Sequence, residues 1–124
     1  MTKIFAAIAM ALSINSSANA LSLKDYEKQK HDQNQKFFTK AYLMGLVEGL
    51  RVLNNLKDLR DFCLPQDFLL QPDQIDNIIE DQVTSKIANA NNKPMDEMVF
   101  EINEKYPIEL LLVWGLEDTF PCKK

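Results

Sequence analysis

Three prolines frame this chain. Pro72, Pro94 and Pro107 each stand at the head of a run whose apolar residues recur every three or four positions. Proline is tolerated in the first turn of a helix and breaks its interior. After Pro72 come Ile75, Ile78, Ile79, Val83 and Ile87; after Pro94 come Met95, Met98, Val99 and Ile102. These spacings predict two helices with their apolar stripes turned inward. Asp73, Asp96 and Glu97 fall in the first turns, where negative charge suits the helix dipole. The polar "NANNKP" stretch separates the two helices as a turn. After Pro107, "IELLLVWGLEDTF" is apolar on nearly every side and predicts a buried final helix. Three glycines in 124 residues are too few for an all-β chain full of tight turns.

Upstream, "FFTKAYLMGLVEGLRVLNNL" aligns Phe38, Ala41, Tyr42, Gly45, Gly49, Val52, Leu53 and Leu56 on one stripe at helical spacing. The expected helix starts within the polar "KDYEKQKHDQNQK" segment and ends near Asp58. Glycine costs roughly 1 kcal/mol against alanine inside a helix. Gly45 and Gly49, four residues apart, therefore imply close packing against another backbone. A helix of the same chain is the expected neighbour, and a second subunit is the alternative. The architecture expected is all-α, a compact bundle of about four to five helices.

The first residues say where such a bundle works. Lys3 precedes an apolar run, Ile4–Leu12; the polar "SINSS" and then Ala18-Asn19-Ala20 follow. This is the layout of a secretory signal peptide over residues 1–20, cleaved after Ala20. The run is too short for a stable transmembrane helix. An ordinary N-terminal helix of the folded domain is the alternative. Cleavage leaves a single domain, 21–124, exported and not membrane-bound. In an oxidising compartment the two cysteines, Cys63 and Cys122, pair most simply with each other. That bridge staples the last helix to the middle of the chain.

Charge divides unevenly. Residues 21–60 carry eight basic and five acidic groups, net +3; residues 61–118 carry three and thirteen, net −10. The balance argues against nucleic acid as a partner. It suits a basic protein partner or a merely soluble surface. The single histidine, His31, lies in a polar run without a ligand pattern beside it, so a solvated side chain is expected and no metal. The acidic clusters lack a calcium-loop spacing. Glu80 and Asp81 are adjacent and point apart on a helix. No nucleotide-binding or nucleophile motif occurs. The expectation is no enzyme, with no catalytic residue and no cofactor.

Taken in order, the signal peptide, "AYLMGLVEGL", "FCLP", "KYP" and "LLVWGLEDTFPC" resemble the Rap/Tai family of immunity proteins associated with type VI secretion amidase effectors. The resemblance runs from about Ala41 to Cys122. It implies a periplasmic protein, often a homodimer, that binds a secreted peptidoglycan amidase effector and obstructs its catalytic cleft. It also places the family's paired cysteines on Cys63 and Cys122. Within that reading, the turn residues Asn89, Asn91, Asn92 and Lys93 and the acidic edge Asp96, Glu97, Glu101 and Glu104 are the candidate effector contacts; a solvated loop and an ordinary helix exterior are the alternative. A small periplasmic acid-stress chaperone, uncovering apolar surface as carboxylates protonate, is the rival function. A carrier of an apolar ligand is a third.

Overall fold

The computed structural model describes residues 20–58, 60–90 and 93–123. They form five helices: α1 (Leu23–His31), α2 (Lys36–Asn55), α3 (Pro72–Asn89), α4 (Met95–Lys105) and α5 (Ile108–Thr119). No strand occurs among the described residues, and the all-α expectation holds. The expected signal peptide, residues 1–20, lies outside them except for Ala20.

All three proline-led starts are found. Pro72 occupies the first turn of α3, where the backbone N–H of Gln71 donates to Gln74 Oε1 at 2.8 Å, half of a capping box. Pro94 and Pro107 stand one residue ahead of α4 and α5. As expected of a helix apolar all round, α5 is the centre: Ile108, Leu111, Leu112 and Leu116 are fully buried, with α3 as its most extensive neighbour. Ile75, Ile78 and Ile79 of α3 close the core from one side, and Leu23 and Tyr26 of α1 reach it from another.

Two expectations are corrected. The polar segment before Phe37 does not simply extend α2; it forms its own helix, α1. Asp32 turns the chain, its Oδ1 accepting the backbone N–H groups of Asn34 (2.8 Å) and Gln35 (3.1 Å). A side chain that binds its own backbone two and three residues on competes with the helical ladder. The second correction concerns α4, where Met98 and Ile102 are buried but Met95 and Val99 are exposed. Only one edge of that stripe enters the core.

The disulfide is Cys63–Cys122, with Cα atoms 4.9 Å apart, within the usual range. The Cys63 N–H also donates to the Phe120 carbonyl at 2.8 Å. From the other side Asn54, buried at the end of α2, donates to the Phe62 carbonyl (2.7 Å) and accepts from the N–H groups of Asp61 (2.8 Å) and Phe62 (3.3 Å). Arg51 donates to the carbonyls of Gln66 and Phe68. The long α2–α3 connection is thus tied by side-chain donors as well as sulfur.

Candidate interaction surfaces

The eight-residue stripe expected to be buried on α2 is the face that the bundle leaves outside. Thr39, Leu43, Val47 and Asn54 turn into the core instead, with Met44, Leu46 and Leu50 partly covered. Phe38, Val52, Leu53 and Leu56 are each more than half exposed, as is Phe37 beside them, and Tyr42 is exposed too. No charged residue interrupts the stripe; Glu48 and Arg51 pair along its flank at 3.5 Å. A Cβ added at Gly45 or Gly49 would meet nothing within 4 Å. Among the described residues, the expected packing of these glycines within the chain is therefore absent. The close approach belongs to Gly115 of α5, where a Cβ would lie 2.3 Å from Ile78 Cγ2.

The stripe has a symmetry of its own. About the level of Val47, Phe38 stands as far from the middle as Leu56, Ala41 as Leu53, Tyr42 as Val52, and Gly45 as Gly49. Bulky side chains lie towards both ends and hydrogen atoms in the middle.

The other candidate face is the α3–α4 corner. Asn91 and Asn92 lie outside the described residues. Asn89, Lys93 and Glu101 line a cavity of about 380 Å³ with Lys86, Met98 and Tyr106. Lys86 lies over two rings, its Nζ 4.0 Å from the centre of the Trp114 ring and 5.8 Å from that of Tyr106. Glu101 is gripped by Lys105 and Lys93, each at 2.8 Å, and their hydrogen bonds hold its carboxyl down at about 2. Its charge is thereby balanced within the chain. Asp96, Glu97 and Glu104 are exposed, and among the described residues no ion pair engages them.

A third cluster was not legible beforehand. Carboxylate oxygens of Glu27, Asp76 and Glu80 converge within 4.8 Å. Lys30 Nζ occupies the place a cation would take, at 2.9, 3.1 and 2.9 Å from them. Burial works against the Lys30 charge, but the hydrogen bonds to Glu27, Glu80 and Asp76 outweigh it and hold the ammonium above the usual lysine range. Tyr26, fully buried, donates to Asp76 at 2.5 Å; burial first and this bond second push its phenol upward. The cluster clamps α1 to α3. His31 is well exposed, its Nε2 3.8 Å from Glu27 Oε2. No described helix is long and apolar enough to cross a membrane.

No protein-family model matches the chain, and no curated protein or solved structure matches it either.

Proposed function

We propose that the chain is an exported immunity protein that works as a homodimer and binds, and so blocks, a peptidoglycan amidase effector delivered by type VI secretion. The observation that carries a binding role is the uncharged, exposed apolar face of α2. Monomeric proteins seldom display such a surface unless a partner covers it. A second copy is the occupant that fits its symmetry. In an antiparallel two-fold contact each patch meets itself: Phe38 opposes Leu56, Ala41 opposes Leu53, Tyr42 opposes Val52, and the glycines meet in the middle. The exposed side chains offer roughly 600–700 Å² per copy, or on the order of 1,200 Å² for the pair, at the lower edge of stable interfaces.

The family resemblance supplies the effector class, and the acidic half of the chain supports it. A wall amidase acts on an anionic polymer, and a basic enzyme surface would be steered by Asp96, Glu97 and Glu104. The disulfide and the Asn54 and Arg51 ties pre-organise the scaffold, which lowers the ordering cost on binding.

The test is affinity capture from the periplasm of the source bacterium with disulfide-intact Leu21–Lys124 as bait, followed by a peptidoglycan hydrolysis assay. The expected result is one secreted amidase at stoichiometric recovery, inhibited by the bait. Reversing Asp96, Glu97 and Glu104 to lysine should slow association at low salt. Recovery of many unrelated proteins, increasing at low pH, would replace this reading with the acid-stress chaperone.

A further inference from the structure

The segment entering α1 is stitched to the start of α5. The Ile108 N–H donates to the Leu21 carbonyl at 2.9 Å, and Ser22 bridges to Pro107. The Leu21 N–H in turn donates to Glu109 Oε1 at 3.1 Å. Tyr42 of α2 donates its hydroxyl to the same oxygen. The second oxygen, Oε2, is buried and has no hydrogen-bond partner among the described residues. A buried carboxylate oxygen without a donor is costly, and native structures seldom leave one so. One amide N–H cannot serve both oxygens.

The missing donors belong to a different chemical form of the same nitrogen. Hydrolysis of the Ala20–Leu21 bond by a signal peptidase consumes one water, leaving a carboxylate on Ala20 and an α-ammonium on Leu21. That ammonium carries three N–H donors and a full positive charge at neutral pH. We propose that Glu109 is a capture site for the mature N-terminus, and that export processing completes it by converting the Leu21 amide into an ammonium that engages both Glu109 oxygens. This rests on the export reading and on cleavage after Ala20.

The groups around the nitrogen fit that role. Glu109 stands in the first turn of α5, where the helix dipole favours negative charge. Burial and then the Glu109 bond push the Tyr42 phenol up to about 12, so it stays a neutral donor. On α1, Asp25 is engaged with Ser22, whose hydroxyl donates to it at 2.9 Å. The new cation therefore faces Glu109 as its principal partner, in a place where the chain already holds it in register.

The experiment compares three forms of the disulfide-intact protein: one beginning at Leu21, one beginning at Ala20, and one beginning at an N-acetylated Leu21. The Leu21 form should melt several degrees higher than the others at pH 6. The α-amino group should titrate about one unit above its ordinary value near 8. A group whose folded pKa is raised contributes its stability below the unfolded value and loses it as pH rises through the folded one. The advantage should therefore vanish by about pH 10, and Glu109→Gln should remove it at every pH while leaving the Ala20 form least changed. Equal melting of all three forms, or an advantage that survives Glu109→Gln, would overturn the capture. The intact mass of protein recovered from the periplasm tests the premise separately. A start at Leu21 sustains it, and any other start overturns the cleavage position and with it this role for Glu109.

Discussion

Gly115→Ala should destabilise the bundle, although alanine is the better helix former. The added Cβ would lie 2.3 Å from Ile78 Cγ2, 3.2 Å from Gln82 Cγ and 3.2 Å from the Ile78 carbonyl oxygen. Ordinary contact begins near 3.4 Å, so Ile78 must retreat by more than an ångström. Ile78 is itself buried between α3 and α5, and the carbonyl belongs to the α3 ladder. Overpacking of this kind costs about 1–3 kcal/mol, against which alanine returns about 1 kcal/mol of helix propensity. A net loss of about 1 kcal/mol is expected, or a urea midpoint lower by roughly 0.5–1 M for a domain of this size. Gly45→Ala and Gly49→Ala are the controls. Nothing lies within 4 Å of either position, so each should raise monomer stability by up to about 1 kcal/mol. The same two changes should weaken self-association, because they force the two α2 helices apart. The assay is urea unfolding followed by circular dichroism, run dilute enough that the protein is monomeric. A neutral or stabilising Gly115→Ala, or losses at Gly45 and Gly49 in the monomer, would refute the assignment of the close approach to α5.

Replacing Cys63 and Cys122 by alanine together removes a cross-link spanning 59 positions; the chain-entropy relation puts the loss at about 4 kcal/mol, and an unshifted urea midpoint would contradict it. Lys30→Met leaves Glu27, Asp76 and Glu80 facing one another without their cation, and should cost about 1–2 kcal/mol at neutral pH, given that Glu27 and Glu80 are solvated. Because the Lys30 pKa is raised, its contribution is complete below the ordinary lysine value of about 10.5 and fades only as pH climbs above it; a Lys30→Met loss that is absent at pH 7 would dismiss the clamp. Glu101 has the opposite sign: its ion pairs are complete above about 4.5 and are lost as pH falls towards about 2. Carbon-detected titration should find that low midpoint, and Lys93→Ala with Lys105→Ala should return it to the ordinary carboxylate range.

Much of the fold was legible because it depends on local rules. Proline at three helix starts, the isoleucine stripe of α3 and the all-round apolar character of α5 each fix an element without reference to the rest. The cysteine pair followed from the expectation of export and simple counting. The breaks came where tertiary packing chose between near-equal local options. Two stripes run along α2, and periodicity favours the one without polar residues. The core takes the other, because Asn54 there satisfies the backbone of residues 61 and 62 and Thr39 caps its own turn by donating to the Gln35 carbonyl. Two glycines four apart signalled close packing inside the chain, whereas the buried glycine is the one set among bulky residues in "VWGLE". Neither the Lys30 cluster nor the Leu21–Glu109 contact has a sequence signature; the contacts that join different elements in them span 46 to 88 positions. On the acidic edge, sequence could not tell Glu101, balanced by its own lysines, from Asp96, Glu97 and Glu104.

The functional account rests on the α2 face being covered by a second copy. The most direct measurement is the sedimentation-equilibrium mass of Leu21–Lys124 at neutral pH, alone and with Leu53→Asp. The account predicts twice the protomer mass for the native sequence and the protomer mass for the variant, with helicity unchanged. A native protein that stays monomeric at tens of micromolar, or a dimer that Leu53→Asp leaves intact, would contradict it.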